Sequence, residues 1–281
     1  MVDITLGRAD ACIYCGDTGE NRSAEHVIAA SLGGRFVIEA ASCKTCSDLT
    51  SLLELGVSRR TYHLARAYYK LPTRRPNKYP KTAEVRVKLG KYGPKKKLEV
   101  PLAEAPISLV IPQYLRKESK DVAGPVWSLA QLKGVVVDEG NLQQKVRAIQ
   151  KRHKCHGVSF PSFPFRVDGN FERTLWKSAY GFFWVTSRES LESSQALDFI
   201  FGKAEPYKKI DGEILVQDIF SIDKSKPCGH VAAASIYTLD EEEHSHLYCE
   251  MHFFEILGLP IYCCRIPNAS GQPLERIDFA H

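Results

Sequence analysis

Two Cys-x-x-Cys pairs, Cys12/Cys15 and Cys43/Cys46, constrain this chain more than any other feature of it. The turn between the cysteines of one pair aims both sulfurs at a common point, so a pair can close on a small ion. Two pairs make a four-sulfur tetrahedral set, the closed geometry of structural Zn²⁺. Such a site joins the ends of a segment too short to build a core of its own, and the residues between are held as a compact loop-and-strand unit. Between the pairs lie Glu25-His26, which opens a short apolar run, and a Gly33-Gly34 turn.

The order of these parts, a CxxC, then Glu25-His26-Val27-Ile28 with a downstream Gly-Gly, a short strand, and a second CxxC leading into a helix, resembles the HNH, or ββα-metal, endonucleases. The resemblance covers roughly the first quarter of the chain. It implies that His26 is the general base that activates water against a phosphodiester, and that Glu25 helps to hold a catalytic divalent cation, Mg²⁺ or Mn²⁺, separate from the zinc. In that family a second cation ligand is usually an Asn directly after the last cysteine. That position is Ser47 here, a weaker neutral ligand, and Asp48 is a stronger oxygen donor one residue on. A shift of one residue on a helix turns the side chain by about 100°. The family's other Asn, early in the second strand, has no match in residues 34–38. Similar bacterial proteins serve in phage defence or DNA mobility, which implies a defence role.

The chemistry needs these groups. An imidazole titrates near neutrality and takes a proton from water without a large shift. A divalent cation stabilises the charge on the phosphate and the leaving oxygen. Glu25 and His26, as neighbours on a regular strand, point to opposite faces, so serving one phosphate requires a distorted strand edge, which the zinc knuckle must hold. A closed Cys₄ shell leaves no position for water, so the zinc is expected to be structural.

At 281 residues the chain is long enough for one large domain or two. Nine cysteines, four of them given to metal, leave Cys155, Cys228, Cys249, Cys263 and Cys264, and the adjacent last two do not read as a disulfide framework. A reducing, cytoplasmic setting follows. No apolar run reaches the roughly 18 residues of a membrane helix, so no membrane partner is expected.

The net charge of +5 is mild, but its distribution is not. From Lys70 to Lys97 the bases are Lys70, Arg74, Arg75, Lys78, Lys81, Arg86, Lys88, Lys91, Lys95, Lys96 and Lys97, and the one acid is Glu84. Following a nuclease-like unit, such a run fits phosphate contact. Arg35, Lys44, Arg74, Arg75, Lys95, Lys96 and Lys97 are the candidate nucleic-acid contacts, with Tyr68, Tyr69, Tyr79 and Tyr92 interleaved as stacking or packing residues.

Along the chain, Ile4–Leu6 reads as a strand, Ala24–Ala30 as the first strand of the unit and Arg35–Ala41 as the second. Asp48 opens a helical pattern that buries Leu49, Leu52 and Leu53 and bends or breaks near Gly56. Glu84–Leu89 and Lys97–Leu102 read as a hairpin. Farther on, strands are expected at Ala105–Ile111 and Gly134–Asp138, and a basic helix at Asn141–Lys154. Phe160–Phe165 reads as a turn. Phe171–Ser187 is an amphipathic helix, read as the core of a second domain, and Glu189–Phe201 a second helix. Strands follow at Ile214–Phe220, Val231–Leu239, Leu247–Phe254 and Ile261–Ile266, with an acidic turn at Asp240–Glu243. His153, Cys155 and His156 read as basic surface, and His244, His246, Cys249 and His252 as a strand, rather than as metal sites.

The fold class expected is α+β: an HNH-like zinc-stapled unit at 1–70, a basic hairpin and linker at 71–103, and a mixed α/β C-terminal domain with antiparallel strands at 104–281. Two functions compete. One is a metal-dependent DNA endonuclease. The other, motivated by Ser47, is a non-catalytic zinc-stapled nucleic-acid-binding protein with a degenerate site. RNA in place of DNA, the oligomeric state, and control by a partner protein or small-molecule trigger stay open.

Overall fold

In the computed structural model, which describes residues 2–71, 73, 79–118, 125–159, 169–192, 195–204, 208–210, 213–215, 219–222, 232–239, 245–254 and 259–280, the chain begins with a small mixed sheet. Its strands are β1 (Ile4–Arg8), β2 (Ser23–His26) and β3 (Phe36–Ser42), in the order β1-β3-β2. β1 runs parallel to β3 and β2 antiparallel. Helix α1 (Lys44–Arg59) follows at once and completes a ββα unit with β2 and β3.

Three boundaries differ from the sequence expectation. β2 stops at His26 instead of Ala30, because residues 30–32 form a single 3₁₀ turn that reverses the chain. That reversal requires glycine at position 34, where a Cβ would lie 1.9 Å from the Ile28 carbonyl oxygen. α1 starts at Lys44, four residues before Asp48. Cys43 is still extended, and its carbonyl accepts from the Ser47 N–H at 2.9 Å, so the first helical turn carries Cys46. Gly56 stays inside α1, and the break falls at residues 60–62, ahead of α2 (His63–Tyr68). The apolar phase of α1 differs too: Cys46, Thr50, Val57 and Ser58 face inward, while Leu49, Leu52 and Leu55 are exposed.

The basic run folds as expected into a hairpin, β4 (Thr82–Lys88) and β5 (Lys95–Pro101), in register from Thr82/Pro101 to Lys88/Lys95. Ala83, Val85 and Val87 face the core and their neighbours face solvent, the period-2 pattern of a half-buried strand. β6 (Ile107–Glu118) and β7 (Pro125–Val137) pair over a longer span than the apolar residues alone announce. Pro112, which has no N–H, sits beside a register shift at Gln113/Tyr114. α3 (Leu142–His153) and β8 (Gly157–Ser159) follow, β8 pairing with β4 to give a three-stranded sheet. Asp138, at the end of β7, accepts from the Tyr68 hydroxyl at 2.8 Å and from Lys145 Nζ at 3.0 Å, so it joins α2 to α3.

α4 (Asn170–Thr186) is the spine of the molecule. It buries Phe171 to Phe183 almost without interruption, more than an amphipathic surface helix would. On one side it packs against α1, and on the other against the five-stranded antiparallel sheet β11-β14-β13-β12-β15. The strands of that sheet are β11 (Ile219–Ile222), β12 (Ala232–Thr238), β13 (His246–Phe253), β14 (Ile261–Pro267) and β15 (Ile277–Phe279). Phe171 meets Tyr262 with ring centroids 5.2 Å apart, and Phe182 meets both Phe279 and Phe36 of β3.

The helix expected at residues 189–201 is two short ones, α5 (Arg188–Glu192) and α6 (Ala196–Ile200). The strand expected at residues 214–220 is likewise two pieces. β10 (Glu213–Leu215) pairs with β9 (Lys208–Ile210) and β7, and β11 joins the larger sheet. The turns expected at residues 160–165 and 240–243, with Arg74, Arg75, Lys78, Cys228 and His244, lie outside the described residues. No helix among the described residues is long and apolar enough to cross a membrane.

Two outcomes follow from this packing. A Cβ on Gly181 of α4 would lie 2.8 Å from Val27 Cγ1, and Val has little freedom at χ1. Gly181→Ala is expected to lower stability by about 1–3 kcal/mol despite the gain in helix propensity, and Gly181→Ala with Val27→Ala should recover part of the loss in thermal melts. The Asp138 carboxyl is held below its usual range: burial works against its charge, but hydrogen bonds from Tyr68, Lys145 and Asn141 outweigh it. A lowered carboxyl stabilises the fold above its unfolded pKa and loses that contribution as pH falls through the folded one. Asp138→Asn should therefore cost about 1 kcal/mol near neutrality, a difference that closes below pH 3.8, the ordinary value, in denaturant titrations run across pH.

Candidate functional site

The four cysteines converge. Cys12, Cys15, Cys43 and Cys46 bring their Sγ atoms within 4.8 Å of one another, and Cys15 and Cys43 approach to 3.7 Å. Four thiolates on Zn²⁺ at about 2.3 Å would be separated by about 3.8 Å, so the set fits a closed structural zinc site. The first pair sits in a tight turn in which the Gly16 N–H reaches the Cys12 carbonyl at 2.8 Å and the Cys12 N–H reaches Asp17 at 2.7 Å. The second pair spans the end of β3 and the first turn of α1, and the Cys43 N–H points at Cys12 Sγ, 3.4 Å away. Cys12, Cys43 and Cys46 are buried and Cys15 is exposed. Among the described residues no other group of three or more His, Cys, Asp or Glu has this geometry.

The ribbon between the pairs is distorted at the strand edge that carries Glu25 and His26. The β2–β3 register runs Ser23/Ser42, then Glu25/Ile38, a bulge that places extra residues on β3. Ala40 within it adopts φ +49°, and the Arg22 Nε–H donates to the Ala40 carbonyl at 2.8 Å. Past this bulge Glu25 turns inward and is 7% exposed, while the His26 side chain keeps 32% of its surface open. His26 Nε2 lies 3.6 Å from Asp3 Oδ2, at the start of β1.

The Glu25 carboxylate does not face solvent. Its Oε1 pairs with Nζ of Lys177, a residue of α4 whose side chain is 1% exposed. The same ammonium pairs with Glu54 Oε1 of α1 at 2.6 Å and donates to the backbone carbonyls of His26 and, at 3.4 Å, Val27. Burial alone would lower the lysine's pKa, and the two carboxylates outweigh it and hold the group charged. Burial pushes the Glu54 carboxyl above its usual range, with Lys177 opposing and Glu25 adding to the rise. Tyr14, inside the first cysteine pair, is driven well up by burial and then by Glu25 and Glu54, and its ring stacks on Tyr180 of α4 at 5.6 Å.

Other candidate residues lie apart. Ser47 is half-buried at the end of the first turn of α1. Asp48 is on the outer face, where its carboxylate pairs with Lys44. Arg35 donates from Nε to the Val2 carbonyl at 2.8 Å. Lys95, Lys96 and Lys97 are exposed along β5, with Lys97 3.0 Å from Glu84. Cys155, expected in a basic surface, is buried, and His246, Cys249 and His252 lie on β13. Asp3, Glu54 and Lys177 were not anticipated. Glu54 stands two helical turns beyond Ser47, a spacing that could have flagged it, whereas Lys177 carries no local signal.

The zinc geometry makes a direct expectation. The purified chain should hold one zinc per molecule, and Cys12→Ser or Cys46→Ser should abolish it. The binding free energy of such sites is about 10–16 kcal/mol, so losing one ligand should lower the melting midpoint by about 10 °C or more, read by elemental analysis and calorimetry.

No curated protein and no solved structure matches the chain. Residues 12–50, from the first cysteine of the knuckle to the second turn of α1, match the family model of the HNH endonucleases.

Proposed function

We propose that the chain is an endonuclease that hydrolyses phosphodiester bonds in DNA, with His26 as its general base. The observation that carries this reading is the half-open imidazole of His26 on a bulged strand edge, stapled between two cysteine pairs in a segment that matches the HNH endonuclease model. The ring takes the proton of a water molecule, and the Asp3 carboxylate lies 3.6 Å from its Nε2. Glu25 orients the strand from its buried side through Lys177. Its carboxylate, with that of Glu54, already surrounds a positive charge with oxygen atoms, a donor set that suits Mg²⁺ or Mn²⁺. When bound, such a cation would neutralise charge building on the phosphate. Ser47 lies two turns before Glu54 on the same helix, and Asp48 is turned outward onto Lys44.

The exposed row of Lys95, Lys96 and Lys97, with Arg86 on the adjoining strand, supplies phosphate contacts that release counterions and carry no sequence information. A role in phage defence rests on the resemblance alone, and RNA is the alternative substrate. A second reading, binding without cleavage, is favoured by Ser47 in the usual Asn position and by the engagement of Glu25 with Lys177.

The test is plasmid nicking by zinc-loaded protein in Mg²⁺ or Mn²⁺. His26→Ala should cut about 100- to 10,000-fold more slowly, and full activity in that variant removes the proposal. Replacing Lys95, Lys96 and Lys97 by Ala should weaken DNA binding uniformly across sequences and reduce the salt dependence by up to about 3 in slope. Tight binding with no nicking in any cation selects the second reading.

A further inference from the structure

An ammonium that is 1% exposed has been taken out of water, and every group now solvating it belongs to the protein. Lys177 Nζ is surrounded by oxygen: Glu25 Oε1 from β2, Glu54 Oε1 from α1 at 2.6 Å, and the carbonyls of His26 and Val27. Two carboxylates and two carbonyls make the kind of shell that a hard divalent cation takes. One positive charge leaves that pair of carboxylates with a net negative charge, which a divalent ion would balance. Stability alone is a weak reason for a buried ion pair, since such a pair replaced as a whole by apolar residues of similar volume often loses little, whereas removing one partner leaves the other charge uncompensated. The lysine also comes from α4, outside the segment that matches the nuclease model.

We propose that Lys177 is a tethered cation: its ammonium holds the position between Glu25 and Glu54, so that seating of Lys177 and occupancy of that position by a divalent ion exclude each other. The proposal rests on the reading of Glu25 as a cation ligand, and it adds Glu54 as the second. Cation entry then requires Lys177 to withdraw along α4, which places the divalent requirement of the enzyme under the control of that helix. A second positive charge beside an ammonium that is 1% exposed is repelled at short range, so simple coexistence is unfavourable.

The experiment is Mn²⁺ binding to the full zinc-loaded chain, read by electron paramagnetic resonance of free Mn²⁺ and by the melting midpoint, in the wild type, Lys177→Met and Lys177→Met with Glu54→Gln. Lys177→Met is expected to bind Mn²⁺ at least tenfold more tightly than the wild type and to melt higher when Mn²⁺ is added. The added Glu54→Gln is expected to remove both gains. Equal Mn²⁺ affinity in the wild type and Lys177→Met overturns the proposal. So does a Lys177→Met chain that stays unfolded at every Mn²⁺ concentration, because the ammonium then has a structural part that a cation does not assume. Tighter Mn²⁺ binding in Lys177→Met that survives the added Glu54→Gln also overturns it. Nicking is scored separately. Tighter Mn²⁺ binding without His26-dependent nicking keeps the tethered cation and removes the nuclease reading, and His26-dependent nicking with unchanged Mn²⁺ affinity does the reverse.

Discussion

The ammonium of Lys177 is the point at which the molecule is pinned. A buried charge is tolerated only with full compensation, and here three elements meet: α4 delivers the lysine, β2 with the residue after it answers through Glu25 and the His26 and Val27 carbonyls, and α1 answers through Glu54. None of the three can be displaced without uncovering a charge. The neighbouring contacts of α4 run in the same direction. The Tyr180 hydroxyl donates to the Ile13 carbonyl at 2.6 Å, inside the cysteine knuckle, and Gly181 lets the helix close on Val27. One face of one helix thus holds the knuckle, the strand that carries the site and the helix behind it.

The cysteine tetrad works from the opposite side. Two of its members sit where β3 ends and α1 begins, so closing four sulfurs on an ion sets the direction in which α1 departs. The same closure lets the ribbon keep a backbone that would otherwise relax. Ala40 is held at positive φ within the bulge, a conformation costly for a residue with a Cβ. Arg22 caps the exposed carbonyl there. The distortion separates Glu25 from His26: one turns toward the interior charges, the other toward water.

Features encoded over a few residues were legible in the sequence. The cysteine spacing, the alternation of the basic hairpin around Gly90 and the apolar repeat of α4 each declare themselves locally, and each stands where it was expected. Features decided by distant partners were not. Lys177 and Val27 lie 150 residues apart, and nothing near Lys177 marks it as interior. Leu49 and Leu52 have helical spacing that would bury them, yet the phase of α1 is set by Cys46 at its start and by the Glu54 contact with α4, and those two leucines face out. β6 and β7 extend past their apolar residues because pairing with each other satisfies their backbone groups.

Gly181 has a mechanical meaning. A Cβ there would lie 2.8 Å from Val27 Cγ1, so glycine lets α4 sit like a wedge against the residue that directly follows Glu25 and His26. The far flank of the same wedge rests on β13 and β14. The helix thus fills the space between the stapled ribbon and that broad sheet, touching both.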